Sequence, residues 1–428
     1  MLNTLPGYPF FMPTLLILGA GTAGTMLANK LRKDLSRDWS ISIVDQDNVH
    51  DYQPGYLFIP FGTYTPERVT RDRWAQLHEG IQHVEGRIAA VDPDARKVAL
   101  ADGRELGYDW LVIATGTKVH PEMIDGMTDE RIWRTKAFDF YTKSGSVALR
   151  NALEKFQGGR VLIHIAEMPI KCPVAPLEFA FLADDYFRTR RIRHKVDITY
   201  VTPLDGAFTK PVSSKALGNL LAEKSVRLAT DFTVEGVDPE TSELKSFDGR
   251  RLPFDLLVSI PPHTGADFLM GSKLADPMGF VEVDKATLRS VHYDNVFAVG
   301  DATNIPASKA GAVAHFAADH LAENMLQAFA GQPMTHRFDG HANCFIESGN
   351  GKALLIDFNY DTEPLTGVFP APGVGPLKLL RESRINHLGK LAFEQIYWHM
   401  LLPGYPIPGI PVTMSMAGKI PAEQTKDK

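Results

Sequence analysis

The string Gly19-Ala20-Gly21-Thr22-Ala23-Gly24 restricts the possible folds of this chain more than any other segment. It follows an apolar run at residues 15–18 and opens an amphipathic stretch at 25–35, so it stands where a strand turns into a helix. In that setting Gly19, Gly21 and Gly24 permit a tight turn and a close backbone approach to a pyrophosphate, whose charge then rests on the helix N-terminus. A second strand-like run at 41–44 ends in Asp45, the place from which a carboxylate accepts ribose hydroxyls. The expectation is a βαβ unit that binds a dinucleotide.

The 428 residues are enough for two or three domains. Forty-four per cent hydrophobic and 22% charged residues exclude a disordered chain and a multi-span membrane protein. Forty-five basic against 51 acidic residues leave no electrostatic footprint for nucleic acid. Two cysteines are too few for a disulfide scaffold and lack zinc-ligand spacing, so no metal site is expected. The N-terminal segment has no basic region ahead of its apolar run, and no signal peptide is expected; residues 1–11 precede Met12 and are read as an extension outside the fold. A second βαβ pattern follows, with a strand at 161–165, a helix at 175–188 and a strand at 196–201. Residues 296–299 form another apolar run, ending in Gly300-Asp301 before a helical pattern at 312–330. The Pro- and Gly-rich stretch 364–376 reads as a linker before a last helix starting near Leu377.

Ala114-Thr115-Gly116 and Val299-Gly300-Asp301-Ala302, each at a strand end, resemble the paired motifs of the two-dinucleotide-binding-domain flavoproteins, the glutathione-reductase-like superfamily. That resemblance implies FAD, with Asp301 on its ribitol or pyrophosphate side. A member that uses a pyridine nucleotide carries a second glycine loop after its second βαβ strand. Here residues 166–178 read AEMPIKCPVAPLE, with side chains and prolines where a pyrophosphate needs glycine, so NAD(P)H is not expected to bind. Instead Cys172 stands at the mouth of a helix, where the helix dipole and Lys171 are expected to lower its pKa. The alternative is a small cysteine packed beneath the helix.

From Thr14 to about Pro403 the chain resembles the sulfide:quinone oxidoreductase family. Lys171-Cys172-Pro173-Val174-Ala175-Pro176-Leu177-Glu178 looks like its K-C-x-x-A-P-x-E segment, which implies a redox role for Cys172 and an acid/base role for Glu178. Glu178 reads equally well as a first-turn helix charge. Asn343-Cys344-Phe345-Ile346-Glu347 matches the family's second redox-cysteine segment. Lys309-Ala310-Gly311 resembles its K-x-G near the flavin, and Lys390-Leu391-Ala392-Phe393-Glu394 its K-x-x-F-E, whose lysine and phenylalanine are associated with quinone. Phe345, Tyr360 and Tyr397 are candidates to flank the quinone. A third cysteine, in places a covalent flavin tether, is lacking at residues 117–130, so non-covalent FAD is expected.

The resemblance implies an α/β fold of two Rossmann-like domains in tandem. Residues 13–118 and 285–340 would form a discontinuous FAD domain, residues 119–284 a second domain carrying a redox cysteine, and residues 341–428 a helical membrane-associating region. It further implies oxidation of sulfide to zero-valent sulfur or polysulfide by a Cys172/Cys344 pair, with two electrons passed to a membrane quinone. Leu388, Ala392, Ile396, Tyr397, Met400 and Leu401 follow helical spacing, with Trp398 and Tyr405 as interfacial aromatics. These residues, too few to span a bilayer, are expected to lie on its surface, on the cytoplasmic rather than the periplasmic side. Core packing or a homo-oligomer contact is the competing explanation of the same pattern. Rival functions are a type II NADH:quinone oxidoreductase, a non-catalytic FAD-binding redox sensor, and a flavoprotein subunit donating to cytochrome c.

Overall fold

Strands buried on both faces need layers on either side, which is the architecture of a parallel sheet. The computed structural model describes residues 12–420; the N-terminal extension read from the sequence, 1–11, lies outside the described residues. Its first sheet is parallel, in the order Val296–Ala298, Trp110–Ile113, Thr14–Leu18, Ser40–Asp45, Ile81–Glu85. Leu15, Ile17, Leu18, Val112 and Phe297 are fully buried in it. Among the described residues the α-helices are α1 (Thr22–Asp34), α2 (Lys143–Lys155), α3 (Ala175–Thr189), α4 (Pro211–Glu223), α5 (Gly311–Phe329) and α6 (Arg384–Ile396). Helices α1 and α5 pack together, joined by a Lys30–Asp319 ion pair.

The second sheet is also parallel, in the order Ala137–Phe138, Leu256–Ile260, Gly159–Ile165, Val196–Val201, Arg227–Ala229. Helix α3 crosses between Gly159–Ile165 and Val196–Val201, and its face of Leu177, Phe179, Ala180, Phe181 and Phe187 is fully buried. The loop before α3 is filled by Ile170 and Val174, both buried.

The C-terminal part differs from the expected helical region. It is a mixed sheet, in the order Ala342–Gly349, Lys352–Phe358, Leu377–Leu379, Thr366–Phe369, Lys419–Ile420, backed by α6. The Pro- and Gly-rich stretch is thus no free linker, since Thr366–Phe369 pairs on both edges. The last helix begins at Arg384 rather than near Leu377, because Leu377–Leu379 is a strand. The chain then turns at Leu380, with φ of +51°, and Ser383 Oγ accepts the Asn386 N–H as helix cap.

Of the two aromatics expected at a bilayer interface, Trp398 points inward and Tyr405 stays exposed. Tyr397 and Trp398, both 2% exposed, pack with Tyr52, and Arg71 lies over the Trp398 ring at 4.3 Å. Leu401 is buried beside them. Leu388 and Tyr405 remain exposed, at 61% and 50%. The spacing of apolar residues merged two faces: α6 runs into a π-helical turn, Tyr397–Leu401, that rotates the later residues toward the core. No helix among the described residues is long and apolar enough to cross a membrane.

Four histidines are held neutral by burial. Desolvation lowers His50 and His315 to about 4, and His164 and His263 to about 3. In each, one ring nitrogen is buried without a hydrogen-bond partner among the described residues, as suits an unprotonated imidazole. The unfolded chain binds protons at these positions from about pH 6.5 downward, while the folded chain resists until about pH 4 to 3. Stability is therefore expected to fall steeply as pH drops from 6.5 to 4. The urea midpoint measured across that range checks it; a flat profile contradicts the burial of these rings.

Candidate functional site

The three glycines of the first loop are required for three different reasons. Gly19 adopts φ of +94°, and a Cβ there would sit 2.6 Å from the Ala114 carbonyl oxygen. A Cβ at Gly24 would lie 1.9 Å from the Gly19 carbonyl oxygen, so α1 could not close on its strand. At Gly21 nothing stands within 4 Å, and the open side faces a cavity lined by Gly19, Gly21, Asp45, Thr115, Gly116, Gly300 and Asp301. The residues fit a dinucleotide. Neither α1 nor α5 has a side-chain cap at its N-terminus, leaving N–H groups for an anion, and Thr115 Oγ1 is buried without a partner among the described residues.

Asp45 is more occupied than the sequence implied. Its Oδ2 accepts from the Ala20 N–H at 2.8 Å and from Arg73 Nη1 at 2.5 Å, and Oδ1 accepts from the Gln46 N–H at 2.8 Å. One acceptor position, on Oδ1, is left for a ribose hydroxyl. Arg73 was not foreseen, because it lies 28 positions from Asp45 and belongs to no motif; it also binds the carbonyls of Ala20 and Val49. Lys309 lines the cavity but spends its ammonium on the Asp301 and Thr303 carbonyls, at 2.8 and 2.7 Å, above the Phe280 ring. Burial lowers it to about 8. It braces the Gly300-Asp301 turn.

Cys172 stands just before α3 with φ of +48°, in the left-handed region that a side chain makes costly. Three backbone ties hold it there. Its N–H donates to the Lys309 carbonyl at 2.5 Å, its carbonyl accepts from the Ala175 N–H at 2.9 Å, and the Tyr141 hydroxyl donates to the same carbonyl at 3.0 Å. Its side chain joins the cavity lining. The expected low thiol pKa is not found: burial pushes Cys172 up to about 12, the nearby Glu178 carboxylate adds to the rise, and Lys390 opposes it. Lys171 does not reverse this, because its ammonium turns away to Gln53 Oε1 at 3.0 Å.

Cys344 lies on Ala342–Gly349, the strand against which α3 packs. Burial raises its thiol too, Cys172 and Glu178 add to the rise, and Lys390 opposes it. The two cysteines, 172 positions apart in sequence, are thus electrostatic neighbours and both free thiols. Between the elements that carry them sits Lys390 of α6, whose Nζ donates to Glu178 Oε1 at 2.7 Å and to the Phe345 carbonyl at 3.0 Å. Burial alone would lower Lys390, but Glu178, Cys172 and Glu347 hold its pKa above the usual lysine value. Burial raises Glu178, so it takes a proton more readily than an exposed glutamate.

Of the other candidates, Phe393 and Tyr397 line the same cavity, and the Tyr397 hydroxyl sits 2.7 Å from both Thr22 Oγ1 and His50 Nε2. The Phe345 ring does not line it; it packs on Gly389 of α6, where a Cβ would meet it at 2.9 Å. Tyr360 is also elsewhere, packed on Gly340 and Phe338. Among the described residues no group of three His, Cys, Asp or Glu side chains is placed to hold a metal ion.

Residues 13–151 match the pyridine nucleotide-disulphide oxidoreductase family. The mitochondrial sulfide:quinone oxidoreductase of Schizosaccharomyces pombe is 30% identical over 414 residues, spanning 90% of this chain and 88% of that protein. Its counterpart in Mus musculus is 28% identical over 397 residues, 91% of this chain and 86% of that protein. The X-ray structure of the sulfide:quinone oxidoreductase from Aquifex aeolicus shares the fold, with a TM-score of 0.79 over 93% of each chain at 22% identity. With a relative 30% identical across nearly the whole of both proteins, this chain belongs to the sulfide:quinone oxidoreductase family of enzymes.

Proposed function

We propose that this enzyme oxidises sulfide to zero-valent sulfur at Cys172 and Cys344 and delivers two electrons, by way of non-covalently bound FAD, to a quinone. The observation that carries this reading is the place of Lys390, which lines the dinucleotide cavity and donates both to Glu178, six residues after Cys172, and to the carbonyl of Phe345, next to Cys344. Gly19, Gly21, Gly24, Asp45, Thr115, Gly116, Gly300 and Asp301 would hold the FAD. Bound there, it supplies the two-electron acceptor that links sulfur to quinone.

The side chains account for the sulfur chemistry. When a disulfide or a longer sulfur bridge joins Cys172 and Cys344, hydrosulfide attacks one bridge sulfur. One S–S bond forms and another breaks, leaving a persulfide on one cysteine and a thiolate on the other. An unpaired thiolate in this buried place is costly, and Lys390 offsets that cost. Glu178 Oε2, buried and without a partner among the described residues, is free to take the proton. Lys390, Phe393 and Tyr397 border the quinone side of the cavity in this reading. Ile385, Leu388 and Ala392, exposed along one face of α6 together with Tyr405, support attachment to a bilayer surface.

Stopped-flow mixing tests the assignment. Sulfide is expected to bleach the flavin band within seconds, and NADH to leave it unchanged, because Pro169 and Pro173 stand where a second pyrophosphate loop would need glycine. Rapid bleaching by NADH with none by sulfide would sink the reading.

A further inference from the structure

Glu347 and His387 have no part in the steps above, yet they adjoin the centre that does. The Glu347 N–H donates to Glu178 Oε1 at 2.8 Å. Its carboxylate side chain is 1% exposed, and both oxygens lie 2.9 Å from Nδ1 of His387. His387 stands one turn before Lys390 on α6 and reaches the surface, with 26% of its side chain exposed. The other charged groups that Glu347 feels are Lys390, on the same helix, and Glu178, on α3. Two hydrogen-bonded pairs, Lys390 with Glu178 and His387 with Glu347, therefore stand side by side between the sulfur centre and water, joined by the Glu347 N–H on Glu178 Oε1.

Charge counting gives this arrangement a use. Two buried carboxylates share one ammonium, and an uncompensated buried charge is expensive. The set is neutral only with one further proton, on a carboxyl or on His387. Burial raises both carboxyls, which brings their proton affinity closer to that of an imidazole. Such a set can hold a proton and pass it on at little cost.

We propose that Glu347 and His387 form a proton exit, carrying the proton of the bound sulfide from Glu178 to solvent. The proposal rests on the sulfide reading above. The S–H bond breaks, its electron pair stays on sulfur, and the proton goes to Glu178 Oε2. Lys390 takes that proton and gives one of its own to Glu347. Glu347 passes one to His387 Nδ1, and His387 releases one from Nε2 to water. No electron moves along this route, and the cluster returns to its starting charge.

The test uses FAD-loaded enzyme mixed with sulfide. Flavin bleaching is expected to slow about 10-fold or more in His387→Ala, His387→Gln and Glu347→Gln. Added imidazole is expected to restore His387→Ala but not Glu347→Gln. In resting protein, with no turnover, an infrared pH titration is expected to lose one protonated-carboxyl C=O band in Glu347→Gln. Unchanged rates, slowing that imidazole does not rescue in His387→Ala, or an unaltered infrared titration each overturn the proton exit while wild-type bleaching leaves the sulfide reading standing. Wild-type enzyme that sulfide fails to bleach overturns both.

Discussion

Cys172→Ala is expected to bind FAD normally and to lose sulfide-driven bleaching by a factor of at least about 1,000. The substitution removes one sulfur and disturbs little else. The backbone ties of Cys172 to Lys309, Ala175 and Tyr141 use its N–H and carbonyl, not its thiol. Its left-handed conformation, φ of +48°, strains alanine as it strains cysteine, so the backbone term cancels. Cys344→Ala should be equally severe, because neither thiol can form the sulfur bridge alone. The double variant should be no worse than either single one, since the two act as a unit. Stopped-flow bleaching across the three variants, with flavin content measured alongside, checks this. A Cys344→Ala enzyme retaining wild-type rates would remove that residue from the chemistry.

The second large effect is on stability. Lys390→Met leaves Glu178, fully buried, with the Glu347 N–H as its remaining donor. Removing one partner of a buried pair typically costs about 3–5 kcal/mol, because the other charge is left uncompensated. Lys390→Met combined with Glu178→Gln is expected to recover most of that loss, since no charge is then stranded. The pH dependence has a definite sign. In the single variant Glu178 is further raised above its unfolded value, so the folded state binds the extra proton first, and stability falls as pH rises. The deficit should be largest above neutral pH and shrink on acidification. Apparent thermal midpoints of the four proteins of the cycle, each at several pH values, measure it. A double variant as unstable as Lys390→Met would show that the pair is not the source of the loss.

Much of the site was legible because some positions tolerate only one kind of residue. Gly19 and Gly24 are required by contacts with Ala114 and with each other, and such requirements leave a string that can be read without coordinates. The prolines after Gly159–Ile165 were equally legible, as residues that stand where a second pyrophosphate loop would need glycine. Errors came where a pattern has two solutions. A stripe of Leu388, Ala392, Tyr397 and Leu401 is apolar whether it faces lipid or protein, and the turn after Ile396 sends its second half inward. The stretch 364–376 looked like a linker because its Pro and Gly residues surround a strand of only four residues, Thr366–Phe369, too short to show an alternating pattern although it pairs on both edges.

Local sequence determined the chemistry-bearing parts of this protein: the glycine turn, the parallel strands buried on both faces, and a cysteine standing where a second nucleotide loop would be. These are short-range facts, set by backbone sterics and by the period of apolar residues. Only the tertiary structure decided that Lys390 reaches both Glu178 and the Phe345 carbonyl next to Cys344, and that burial raises both thiols despite the helix and the lysine next to Cys172. Desolvation and pairing depend on which groups three separate elements bring together, and no spacing along one chain encodes that.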